Sequence, residues 1–83
     1  MKMNLRVVYD NGDSVNVEAT ARDLVAFEDE FTLSVAKIEN DFHIKYLLWI
    51  AWHWLKRMNS TDKSFEDWCD DVAEIGAGDD DPK

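Results

Sequence analysis

Between Tyr46 and Leu55 the chain places three of its four tryptophans within ten residues, Tyr-Leu-Leu-Trp-Ile-Ala-Trp-His-Trp-Leu, whose single polar side chain is His53. Read as a helix at about 100° per residue, the segment aligns Ile44, Leu47, Leu48, Ala51, Leu55 and Met58 on one face. Phe42, Trp49 and Trp52 crowd the opposite face together with Lys45 and Lys56. A helix apolar nearly all the way round is covered on every side or inserted in a membrane. A chain of 83 residues has enough further structure to cover one face, so the second face is expected to take a partner.

Size sharpens that expectation. One domain of this length buries only about 60–65% of its unfolded surface and is marginally stable alone, a deficit that self-association relieves. Hydrophobic content of 46% beside 33% charged residues is globular rather than disordered. The apolar run falls short of the roughly 20 residues that span a bilayer. Met1-Lys2-Met3-Asn4-Leu5 lacks the apolar core of a signal peptide. The expected setting is therefore cytoplasmic, without membrane contact.

Charge is unevenly distributed. Residues 42–61 hold Lys45, Lys56 and Arg57 and no acid, so this segment carries +3 and the remainder −12 of a net −9. An acidic exterior repels phosphate backbones and argues against nucleic-acid partners. A cationic aromatic stripe inside it points to an acidic protein surface, including a second copy of the chain. The plainer alternative is that the three cations snorkel over aromatic stems.

The N-terminal residues read as a hairpin, Leu5–Tyr9 and Ser14–Glu18 flanking Asp10-Asn11-Gly12-Asp13. A two-residue Asn11-Gly12 loop would pair Leu5 with Glu18 and mix apolar with polar on both faces. A three-residue loop with Gly12 in the left-handed position pairs Val7 with Val15 and Leu5 with Val17, which is the expected register. Thr20 and Asp23 form a capping-box pattern. From there Leu24, Phe27, Phe31, Val35 and Ile38 make an amphipathic helix whose weak point is Thr32-Leu33-Ser34. Asn40 or Asp41 caps the aromatic helix, which runs to about Met58. After a polar loop, Ser64 and Asp67 start a last helix carrying Phe65, Trp68, Cys69, Val72 and Ile75 and stopped by Gly76. The predicted fold is α+β: an N-terminal β-hairpin followed by three α-helices as a single domain over residues 1–76, then a disordered acidic C-terminal tail over 77–83.

No catalytic constellation emerges. His43 and His53 point roughly 80° apart on a helix, which disfavours joint metal ligation or acid–base work. Cys69 has no disulfide partner and no zinc-ligand set, and Asp70 and Asp71 beside it raise rather than lower a thiol pKa. The acids of residues 10–13 and 79–81 lack the ligand spacing of a calcium loop. No Gly-rich phosphate loop is present among only three glycines. The expectation is a non-enzyme with no cofactor or metal. Trp54, at the edge of the main apolar face, is expected inside. Trp49 and Trp52, flanked by lysines, are expected as interface anchors.

The hairpin with its Asn-Gly turn, the Phe27-Glu28 pair, Leu48-x-x-Ala51-Trp52-x-x-Leu55-Lys56-Arg57, Phe65-Glu66-x-Trp68-x-x-x-Val72 and the acidic end together resemble the small tail assembly chaperones of long-tailed bacteriophages. The resemblance implies a cytoplasmic protein of the infected bacterium that oligomerises and coats the tape measure protein until other tail proteins, the tube subunits, replace it. On that reading the partner-binding or self-association residues are Phe42, Lys45, Tyr46, Trp49, Trp52 and Lys56. A rival reading makes the chain a small acidic inhibitor or nucleic-acid mimic that occupies a basic site on a host protein through Glu28, Asp29, Glu30, Asp67, Asp70 and Asp71.

Overall fold

The computed structural model describes residues 2–32 and 44–78. Strand β1 (Lys2–Tyr9) turns into β2 (Ser14–Thr20), which leads directly into helix α1 (Ala21–Phe31). Helix α2 (Ile44–Arg57), the five-residue helix α3 (Phe65–Cys69) and strand β3 (Val72–Ala77) follow. The antiparallel sheet has the order β2-β1-β3. Helices cover the face that presents Leu5, Val7, Val17 and Ala19, all buried. Lys2, Arg6, Asn16, Glu18 and Glu74 leave the opposite face polar and exposed.

The hairpin has the register expected from burying its apolar set. Val7 faces Val15 and Leu5 faces Val17, and Gly12 takes φ +96° to close the loop, a conformation that costs any residue with a Cβ. Helix α1 stops where β-branching begins. Thr32 adopts φ 55°, ψ 40°, a left-handed conformation that is strained for threonine. Val35, Ile38, Asn40 and Asp41 lie outside the described residues. At the far end of α2 the amide of Ser60 reaches the Leu55 carbonyl at 2.8 Å and that of Asn59 reaches Lys56 at 3.1 Å. With Asn59 at φ 62°, this is the Schellman arrangement that satisfies terminal helix carbonyls.

The expected third full helix is corrected by the structure. Phe65–Cys69 is helical, but the chain turns at Asp70-Asp71 and Val72–Ala77 pairs antiparallel with β1. Two aspartates at the negative end of a helix disfavour its continuation. The β-branched Val72 and Ile75 suit the free edge of β1 instead. Among the described residues the order is thus β-β-α-α-α-β, with a C-terminal strand, rather than a hairpin followed by three helices. Ala77, expected in the tail, pairs with Leu5, and the Gly78 amide bonds the Asn4 carbonyl at 2.9 Å; residues 79–83 lie outside the described residues.

Helix α2 sits at the centre. Leu47, Ile50, Ala51 and Leu55 are buried, while Ile44 and Met58, expected on the same buried face, are 49% and 51% exposed. Helix α1 runs antiparallel to it, with Phe31 against Tyr46 at one end and Asp23 against Arg57 at the other. Trp68 of α3 is buried and donates from Nε1 to the Tyr9 hydroxyl at 3.2 Å. Among the described residues no helix is long and apolar enough to cross a membrane.

Candidate functional site

Two depressions meet on the side of α2 that faces away from the sheet. Both include Trp52 and His53 in their walls. The broader, about 610 Å³, runs past Phe31, Lys45, Trp49 and Phe65, with Glu30 and Glu66 also lining it. The smaller, about 260 Å³, is walled by Arg22, Ala26, Trp52, His53, Lys56 and Arg57.

The residues expected to take a partner divide by burial. Lys45 and Lys56 are exposed, their Nζ atoms 5.5 Å from the Phe31 ring centre and 5.4 Å from that of Trp52. Trp52 is half-buried and its indole Nε1 donates to the Lys63 carbonyl at 3.0 Å. Tyr46 meets Phe27 and Phe31 edge-on at 5.3 and 5.4 Å. Trp49 is only 9% exposed and contacts Phe27, Phe31, Trp52 and the stacked ring of His53 at 5.1 Å. Helices α1 and α3 thus cover much of the face that the sequence left for a partner. Trp54, expected inside, is half-buried against the core. Phe42 and His43 lie outside the described residues.

Sequence reasoning treated Asp23, His53 and Arg57 as three separate features; the fold brings them together. Asp23 is fully buried at the start of α1. Its Oδ1 meets His53 Nδ1 at 2.6 Å and accepts from Arg57 Nε at 3.2 Å. Its Oδ2 accepts from the Thr20 backbone N–H and from an Arg57 terminal nitrogen, both at 2.9 Å. That same nitrogen reaches the Thr20 hydroxyl at 3.2 Å. Burial is the largest single influence on the Asp23 carboxyl and opposes its charge. The bonds from Arg57, the Thr20 amide and His53, together with the Arg57 charge, outweigh it and hold the carboxyl below its ordinary value.

The pair also joins complementary helix ends, since α1 begins where α2 finishes. An acid in a first turn and an arginine in a last turn each favour the local dipole. The sequence signal was available in part: Asp23 fits a capping box, and Arg57 occupies a C-terminal turn. Nothing local linked them across 34 positions.

Among the described residues the remaining reactive groups are not gathered into a site. Burial, then Asp70 and Glu66, push the Cys69 thiol upward, away from nucleophilic use. Among the described residues no three His, Cys, Asp or Glu side chains are grouped to hold a metal ion. No family model, curated protein or solved structure matches the chain.

Proposed function

We propose that this chain is a non-enzymatic binding protein that self-associates and shields an apolar helical client, in the manner of a phage tail assembly chaperone. The observation that carries the reading is the broad depression in which Phe31, Trp52 and Phe65 remain partly uncovered between Lys45 and two glutamates. Aromatic surface bordered by charge of both signs is the composition of protein contact sites. The strongly acidic remainder keeps an assembly soluble. Leu48, Ala51, Trp52, Leu55, Lys56 and Arg57 of the first resembling motif all lie on α2. The second motif, Phe65 to Val72, spans α3 and the first residue of β3 instead of one helix.

The test joins size-exclusion chromatography and light scattering to co-expression with a tape measure protein. Wild type is expected to be oligomeric and to keep that client soluble, and Lys45→Glu/Trp52→Ala to lose both properties while remaining folded. A monomeric wild type that leaves the client insoluble removes the reading.

A further inference from the structure

We propose that the pocket between α1 and α2 is a binding site for a phosphate monoester. Among the described residues its wall contains Arg22, Lys56 and Arg57, three permanent cations, and no carboxylate, in a chain of net charge −9. Asp23, which contacts both Arg57 and His53, is fully buried and already engaged by Arg57, His53 and Thr20. Local charge at the opening is therefore positive even after Asp23 is counted. Such a site concentrates anions that the rest of the surface repels.

The buried carboxylate also supplies preorganisation. It fixes the Arg57 guanidinium through two nitrogens and the His53 ring through Nδ1, so neither has to be ordered when a ligand arrives. Arg22 and Lys56 approach from different helices and are exposed, free to close on an anion. Cations contributed from two helices suit a tetrahedral dianion, whose several oxygens share its charge, better than a single carboxylate.

Trp52 and Ala26 supply the apolar part of the wall. A cavity of about 260 Å³ leaves room beside the phosphate for the start of an organic group, which lies along the indole and leads towards the aromatic depression sharing that ring. The monoester is carried either by a free small molecule or by a phosphorylated protein side chain; the chemistry at the pocket is the same. The pocket shares Trp52 and Lys56 with the surface assigned to self-association, so light scattering recorded beside each titration separates the two: ligand shifts at an unchanged oligomeric state report on the pocket alone.

Amide and indole NMR shifts of the whole chain, titrated with inorganic phosphate, phenyl phosphate and a short phosphoserine peptide, provide the test. Sodium acetate at matched ionic strength is the control. Saturable shifts are expected at Arg22, Ala26, Lys56, Arg57 and the Trp52 indole. Tighter binding of phenyl phosphate identifies a small aromatic ester, and tighter binding of the peptide a modified protein. Arg22→Glu/Lys56→Glu should weaken binding by about tenfold or more, as loss of charge-assisted bonds requires, with an unchanged thermal midpoint. Should that pair impair folding, Lys56→Gln alone tests the same loss. Absence of saturation at millimolar phosphate ester, an equal response to acetate, or full binding by the folded variants overturns the proposal.

Discussion

Arg57 grips Asp23 through two nitrogens, Nε on one carboxylate oxygen at 3.2 Å and a terminal nitrogen on the other at 2.9 Å. The acid is wholly buried, whereas the arginine side chain retains 27% of its exposure. The burden of desolvation therefore falls on Asp23. Its compensation comes from the arginine, the Thr20 amide and His53 acting together, so removing the carboxylate disturbs the start of α1 and the end of α2 at once.

Asp23→Ala should accordingly destabilise the chain by about 2–4 kcal/mol, between the loss of a hydrogen-bonded charge and that of a fully buried pair. Arg57→Ala leaves a buried carboxylate to the Thr20 amide and hydroxyl and to His53 and should also be destabilising. Urea unfolding followed by tryptophan fluorescence measures both. A cost below about 1 kcal/mol, the range of exposed ion pairs, would place the cluster among surface interactions.

The same carboxylate sets an acid limb. Asp23 is held below its ordinary value in the fold, so its stabilisation is fully present above the unfolded value of about 3.9 and drains away as pH falls through the folded value. In that window the unfolded chain binds the extra proton. Stability measured downward from pH 5 should decline more steeply in wild type than in Asp23→Asn, which starts less stable. Parallel curves would assign the acid limb to other carboxylates.

How far this was legible depends on the range of each signal. Gly12 with Val7, Val15, Leu5 and Val17 determines a hairpin register because loop geometry and facing side chains are local. The stop of α1 at Thr32 was likewise visible as a weak point. Val72 and Ile75, by contrast, fit both a helical stripe and a strand, and only the free edge of β1, more than sixty residues earlier, decides between them. The Asp23–Arg57 pair was hidden for the same reason: each residue already had a sufficient local explanation. The covering of Trp49 by α1 depends on how two helices pack, which the apolar pattern of one helix does not specify.

Gly78 and Gly76 give a paired test of β3. A Cβ on Gly78 would lie 2.8 Å from the Asn4 carbonyl carbon and the Leu5 nitrogen, whereas one on Gly76 meets nothing within 4 Å. Backbone atoms in a central strand do not yield easily, so Gly78→Ala should cost about 1–3 kcal/mol. Gly76→Ala should be neutral or slightly stabilising, because alanine restricts the unfolded chain. Thermal unfolding of the two variants checks the contrast. Equal midpoints would deny the close approach of residue 78 to β1.

Cys69 should react slowly. Its thiol is pushed upward first by burial and then by Asp70 and Glu66, so less thiolate is present near pH 8 than in an exposed cysteine. Alkylation by iodoacetamide is expected to be slower in the native chain than in urea, and Asp70→Asn should accelerate it without unfolding the protein. A native rate equal to the urea rate would contradict the burial of this thiol.

Trp49 and Trp52, equivalent in the linear pattern, should separate in their energetics. Trp49 is 9% exposed and enclosed by Phe27, Phe31 and His53, so Trp49→Ala creates a core cavity costing about 3–5 kcal/mol. Trp52 is half-buried, and its truncation gives up partial burial and the bond to the Lys63 carbonyl, together about 1–2 kcal/mol. The difference decides which variant can probe partner contact: loss of association in Trp49→Ala would report on unfolding, whereas the same loss in a folded Trp52→Ala reports on the surface. Comparable destabilisation of the two alanine variants in urea would show that Trp52 is a core residue and is unsuited to that role.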